Sequence, residues 1–410
     1  MRSTMSKNPA LQRRDRPWVG SVLSLLLGPV DLPPLDDVRA ALVRVAAENP
    51  HARLGWQLDR VAMRWVPGEP TDAMVTEGEP WPEGTDLGDV VDALVADADD
   101  QMPLQFVRFP NHLGMVVCHA LSDGRSNGAI MEAVAAAAST GDYAPIASHP
   151  SGRMPMLSAA WATFGRDPKR FRAAFADRPD RSGPPTAGVM VPWQPSRKTL
   201  YASLDGALRD ETVATVKATA GKVSNFAVVA IAVIRALQGA GVEVSPVSNV
   251  VVDLRTYLDG EWINGNFLGA LPIRIDEDTT ILEVSQRIRS GMRSARPLAG
   301  ALLSSARTGS RRHRPTIPTT VDPTAPAVVA FSDVGMRTNI PFSDAGNPVY
   351  ASSNEPDGPN GVTIVALHTR DASLLSVSFH DNVIDAGRVD AALKVLTHDF
   401  RRLVFGEEAS

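Results

Sequence analysis

The chain has 410 residues, 44% of them hydrophobic and 21% charged, with a formal net charge of −5 and one cysteine, Cys118. That length exceeds one ordinary core, so two lobes are expected. The mild negative charge gives no reason for a nucleic-acid partner, and a lone cysteine forbids an intrachain disulfide. No apolar run approaches the roughly 18 residues of a membrane span, and none follows Arg13 and Arg14 as in a signal peptide. A cytoplasmic protein is therefore expected.

Residues 1–16 read as a polar, mobile tail. Residues 18–27 read as a first strand. A helix is predicted over 35–48, with Asp36 and Asp37 in its first turn and Leu35, Val38, Leu42 and Val45 on one face. Asn49-Pro50 ends it. A hairpin follows, with Leu54, Trp56 and Leu58 alternating before the turn and Val61, Met63 and Trp65 after it. Strands are predicted over 104–109 and 114–118, and a helix over 126–139. Residues 140–198 are poor in pattern, and 177–188 read as a linker. This divides the chain into a tail (1–16), a first lobe (17–180), a linker (181–198) and a second lobe (199–410). In the second lobe, strands are predicted over 199–204, 247–253, 267–275, 328–332, 362–368 and 374–379. Helices are predicted over 210–222, 224–239, 280–293 and 386–405. The helix over 224–239 is apolar on every side and so reads as buried. Residues 297–326 read as the least ordered interior stretch; there Arg307, Arg311, Arg312, His313 and Arg314 form either a solvated loop or a patch for phosphates.

One stretch carries chemistry. Val116-Val117-Cys118 ends a buried strand, His119 follows it, and Asp123-Gly124 lies four residues on, just before a helix. A strand that delivers a histidine to a tight loop presents an imidazole whose unperturbed pKa, about 6.5, suits proton transfer near neutrality. The stretch resembles the His-His-x-x-x-Asp-Gly signature of the CoA-dependent acyltransferase superfamily. That group includes chloramphenicol acetyltransferase, condensation domains, polyketide-associated acyltransferases and wax ester synthases. Cys118 stands where the first family histidine would be. Three further segments support the resemblance: the Asn49-Pro50-His51-Ala52-Arg53 corner after the first helix, Asp253-Leu254-Arg255 followed by Gly265-Asn266-Phe267-Leu268-Gly269, and Phe331-Ser332-Asp333-Val334-Gly335.

The resemblance implies an α/β, two-lobed chloramphenicol acetyltransferase-like fold, with a mixed sheet flanked by helices in each lobe and a tunnel between them. It implies an acyltransferase of natural-product or lipid biosynthesis. His119 would be the general base, taking a proton from a hydroxyl or amine as that atom attacks a thioester. The donor would be acyl-CoA or an acyl or peptidyl carrier protein bearing phosphopantetheine, with no permanently bound cofactor and no metal. Asp123 is expected to pair with Arg255 and hold the loop, a structural role suited to a carboxylate and a guanidinium fork. Gly124 is expected to permit a backbone angle that other residues resist. Cys118 reads as a packing residue. Ser332 is a candidate for contact with the developing oxyanion or substrate, and Asn266 for a cap or a substrate contact.

Two other functions remain open on the sequence. Gly124-Arg125-Ser126-Asn127-Gly128 matches the nucleophile elbow of α/β-hydrolases, although Ser126 is also a natural helix N-cap. A condensation-like module that recruits a partner protein without chemistry is the other. Of the remaining candidates, His51 and Arg53 read as surface or structural residues, His112 as an exposed turn residue, and His368 and His380 as structural.

Overall fold

The computed structural model describes residues 8–99, 102–146, 154–165, 167–176, 188–258, 263, 265–307, 317–338 and 340–406. The first half builds β1 (Val22–Gly28), α1 (Leu35–Glu48), β2 (Val75–Glu77), α2 (Leu87–Ala96), β3 (Leu104–Arg108), β4 (Leu113–Cys118) and α3 (Gly124–Ser139). The second builds β5 (Arg197–Asp205), α4 (Gly206–Ala220), α5 (Asn225–Gly239), β6 (Val247–Asp253), β7 (Leu268–Arg274), α6 (Ile281–Arg293) and α7 (Arg296–Arg307). It continues with β8 (Val328–Met336), β9 (Val349–Ser353), β10 (Gly361–His368), β11 (Ala372–His380) and α8 (Ala386–His398).

Two mixed sheets result. The first runs β9-β1-β4-β3-β2 and the second β7-β6-β8-β10-β11-β5. Only β2 with β3, and β8 with β6 and β10, pair in parallel within them. β1 and β4 are buried almost end to end, which is why both read as continuous apolar runs rather than alternating ones. Their register sets Val22 opposite Cys118. α1 and α3 bury Val38, Leu42, Met131 and Val134 with Leu25, Leu27, Met115 and Val117 in the first core. α5 supplies Val229, Ile231, Val233 and Ile234 to the second core. Its start is fixed by Ser224, whose Oγ accepts from Ala227 N at 3.2 Å. Thr280 and Glu283 form a reciprocal capping box at the start of α6. Among the described residues no single helix is long and apolar enough to cross a membrane.

Several expectations are corrected. Residues 10–16 are docked rather than mobile: Ala10 bridges Arg64, Leu11 N donates to Met63 O, and Leu11 and Asp15 are buried. Leu11 adds apolar surface to the first core, and neighbouring cations compensate Asp15. The first strand starts at Val22, because Arg16–Trp18, with Pro17 inside, forms a 3-10 turn. Residues 296–307 form α7 rather than loop. Leu298 and Ala299 reach a small core with Leu254 and Phe267. The C-terminal helix breaks at Asp399, between α8 and a short helix Phe400–Phe405. The second half also returns one strand to the first sheet: β9 pairs with β1, Leu26 opposite Ala351. Residues 181–187 of the expected linker, and Arg311, Arg312, His313 and Arg314, lie outside the described residues.

Candidate active site

β4 delivers His119. The residue after Cys118 leaves the strand, and its N–H donates to Ser21 O at 2.8 Å. Leu121 N turns back to Cys118 O at 2.8 Å. Asp123 then caps α3, with Oδ1 accepting from Ser126 N at 3.2 Å. Asp123 is fully buried, and its Oδ2 accepts from two groups of the second half: Arg255 Nη1 at 2.8 Å and Phe267 N at 3.0 Å. The carboxylate therefore closes the loop, starts the helix and joins the two halves.

Arg255 spends the rest of its fork on fixed acceptors. Nη1 also reaches Asp253 Oδ1 at 3.0 Å, Nε reaches Ile263 O at 3.2 Å, and Nη2 reaches Gly265 O at 3.2 Å. Burial pulls the guanidinium's pKa down, but Asp123 and Asp253 more than reverse this, so it lies above its ordinary value. Asp253 is held below the usual carboxylate range: burial raises it, and Arg255 and Arg125 outweigh that. A buried charge set of this kind is stable because each member is both paired and hydrogen-bonded.

Asn266 belongs to the same assembly. Its Nδ2 donates to His119 O at 2.6 Å, and its backbone N donates to Asp15 Oδ1 at 2.9 Å. Trp18 stacks on the His119 ring, with centroids 4.1 Å apart and planes 22° apart. Nδ1 of His119 is buried with no hydrogen-bond partner among the described residues, while the residue keeps part of its surface open. Burial depresses the imidazole's pKa below its usual 6.5, against smaller raising influences that include the Asp123 carboxylate. This direction favours the neutral ring, the form that accepts a proton.

The structure thus brings His119, Asp123, Arg255 and Asn266 together. Ser332 lines a cavity of about 10 Å³ beside Phe226, Val229 and His368, with room for about one water. Gly124 corrects an expectation. It is the first residue of α3, it is not among the glycines of positive φ, and an added Cβ would meet nothing within 4 Å. The turn is made by Asp123 in extended conformation, so no left-handed residue is needed. Ser126 is the third helical residue rather than the cap. It is buried under Arg255 Nη2 at 3.4 Å, and β4 before it runs antiparallel to both neighbours, which is not a nucleophile elbow. Cys118 packs in the first core.

His112 is buried rather than exposed. Its Nδ1 meets Asn111 Oδ1 at 2.8 Å, and burial lowers its pKa to about 4. Arg53 is half-buried, at a positive φ of 59°, with its guanidinium 5.2 Å from the Trp65 ring centroid. His51 lies beside it in the 3-10 turn Pro50–Ala52. His368 bonds Ser373 Oγ at 2.8 Å through Nδ1, and His380 accepts from Ser196 N at 3.2 Å. Sequence reasoning missed Asp15 and Trp18. The one signal for either was an aromatic residue four positions before β1.

No protein-family model and no curated protein matches the sequence. Solved structures do. The trichothecene 15-O-acetyltransferase of Fusarium sporotrichioides aligns over 98% of this chain and 97% of its own, with a TM-score of 0.61 at 12% identity. The condensation domain of the monacolin K polyketide synthase covers 98% and 97%, with 0.60 at 13%. This is the condensation-domain fold. Polyketide synthase associated protein 5 from Mycobacterium tuberculosis shares it, over 98% of this chain and all of its own, at 0.58 and 15%. At such identities the likeness establishes architecture: the condensation-domain fold, mixed sheets and helices in both halves, as the sequence led one to expect.

Proposed function

We propose that the protein is an acyltransferase that moves an acyl group from a thioester to a hydroxyl or amine, with His119 as general base. The observation that carries this reading is an imidazole set at the end of β4, its backbone held by Asn266 and its loop by a buried carboxylate–guanidinium clasp. Nδ1 is enclosed, which leaves Nε2 for substrate. Nε2 takes the proton of the acceptor as its oxygen or nitrogen bonds to the thioester carbon. When the carbon–sulfur bond breaks, the imidazolium returns that proton to the leaving thiolate. A base so placed contributes typically about 10²–10⁴-fold.

An anionic donor fits a second feature. An open cleft of about 670 Å³ between the helix Pro168–Ala176 and α6 is lined by four cations, Lys169, Arg170, Arg289 and Arg293, and one carboxylate, Asp167. Among the described residues none of the four has a carboxylate ion pair with its side chain. Such a surface suits the phosphates of CoA or of a carrier protein's phosphopantetheine arm. The second reading, a recruitment module without chemistry, is favoured by Cys118 in place of the first motif histidine. Thioester consumption with and without pooled alcohols and amines separates the cases. A transferase needs the acceptor, a hydrolase does not, and a recruitment module consumes nothing.

A further inference from the structure

We infer that the segment 15–21 is the positioning element of His119, with Asp15 and Trp18 as its positioning residues. This rests on the reading of His119 as the base. The segment grips that residue at three points. Ser21 O accepts the His119 N–H at 2.8 Å. Trp18 covers one face of the ring at 4.1 Å. Asp15 acts through Asn266: its Oδ1 accepts from Asn266 N at 2.9 Å and from Nδ2 at 3.4 Å, and that same Nδ2 donates to His119 O at 2.6 Å. Trp18 N donates to Asp15 O at 3.1 Å, so the stack and the carboxylate belong to one turn.

A carboxylate buried this completely must be compensated. Arg14 Nε lies 3.7 Å from Asp15 Oδ1, and Arg53 adds a second cation. Burial raises Asp15, and Arg14, Asn266 and Arg53 oppose the rise. Asp123 is the charged group that acts on the ring itself; Arg255 pairs with Asp123, and Asp15, with Arg14 and Arg53 against it, stands behind Asn266. None but Asp15 and Arg14 belongs to the gripping segment or its immediate flank. With its two backbone groups held and one face covered, the imidazole keeps little freedom to swing its Nε2 edge. Reacting groups lose rate steeply on small displacements, on the order of 10²-fold for 1 Å.

The test uses full-length protein, selectively labelled at histidine, with the His119 resonance assigned from His119→Gln. Trp18→Ala uncovers the ring, so the His119 titration midpoint should rise towards 6.5 and kcat should fall by about 10- to 100-fold with KM little changed. Trp18→Phe, which keeps an aromatic face, should restore most of both. Asp15→Asn conserves volume but sets an amide among donors; it should lower kcat to a similar extent while the thermal melt still shows folded protein. An unmoved His119 titration together with an unchanged kcat in Trp18→Ala overturns the inference. If instead His119→Gln retains full transfer activity, the base reading fails, and the titration alone still decides whether the segment holds the ring.

Discussion

Replacing Asp123 by alanine should damage the fold before it damages the chemistry. The carboxylate accepts three hydrogen bonds: from Ser126 N, from Phe267 N and from Arg255 Nη1. Removing one partner of a buried ion pair typically costs about 3–5 kcal/mol, because the other charge stays buried. Here Asp253 and two carbonyls remain on Arg255, which favours the lower end, about 3 kcal/mol. Loss of the α3 cap, about 1 kcal/mol on its own, overlaps with that figure. The assay is urea unfolding of wild type, Asp123→Ala, Arg255→Met and the double variant, followed by fluorescence and circular dichroism to expose any unfolding in stages. The double variant should lose less than the sum of the singles, with a coupling of about 1–3 kcal/mol. A purified Asp123→Ala protein with native unfolding behaviour and no activity would refute the structural role. So would strict additivity of the two singles.

Three further outcomes are expected. Gly124→Ala should melt no lower than wild type, and up to about 1 kcal/mol higher, because its helical position is compatible and open; a large loss would restore the discarded special-backbone role. His112 has a folded pKa of about 4 against an ordinary 6.5. Between those values the unfolded chain binds more protons, so stability falls as pH drops from about 6.5 towards 4, by at most about 1.4 kcal/mol per unit and less for a partly solvated ring. A His112→Leu variant should flatten that dependence in urea titrations at each pH; an unchanged slope would contradict it. Asn266→Ala frees the His119 carbonyl and should lower kcat by about 10-fold with KM little moved, which steady-state kinetics will read.

Local signals were legible and distant ones were not. β4, His119, Asp123 and α3 announce themselves because strand, turn and cap follow one another within the chain. α1, β6 and α6 were placed almost to the residue for the same reason. Asp15 and Arg53 were not, because a sequence shows a charged residue as soluble until its partners are known, and Asp15's partner Asn266 lies 251 positions away. Residues 10–16 therefore read as a tail. β9 is five residues with two serines, Ser352 and Ser353, whose burial depends on neighbours from three other elements, and it was not anticipated. α2, whose N-cap Asp86 follows a Pro- and Gly-rich stretch, was missed as well. Gly124 was misjudged because glycine after aspartate ordinarily signals a turn, whereas here Asp123 both turns and caps.

The central claim is that His119 accepts the acceptor's proton. The direct measurement is the pH dependence of kcat/KM for transfer from an acyl thioester, on wild type and His119→Ala. The wild-type rate should fall on the acid side with a midpoint below 6.5, and the variant should lose about 10²–10⁴-fold and that limb with it. A variant as fast as wild type, or one slowed with the acid limb intact, would contradict the account.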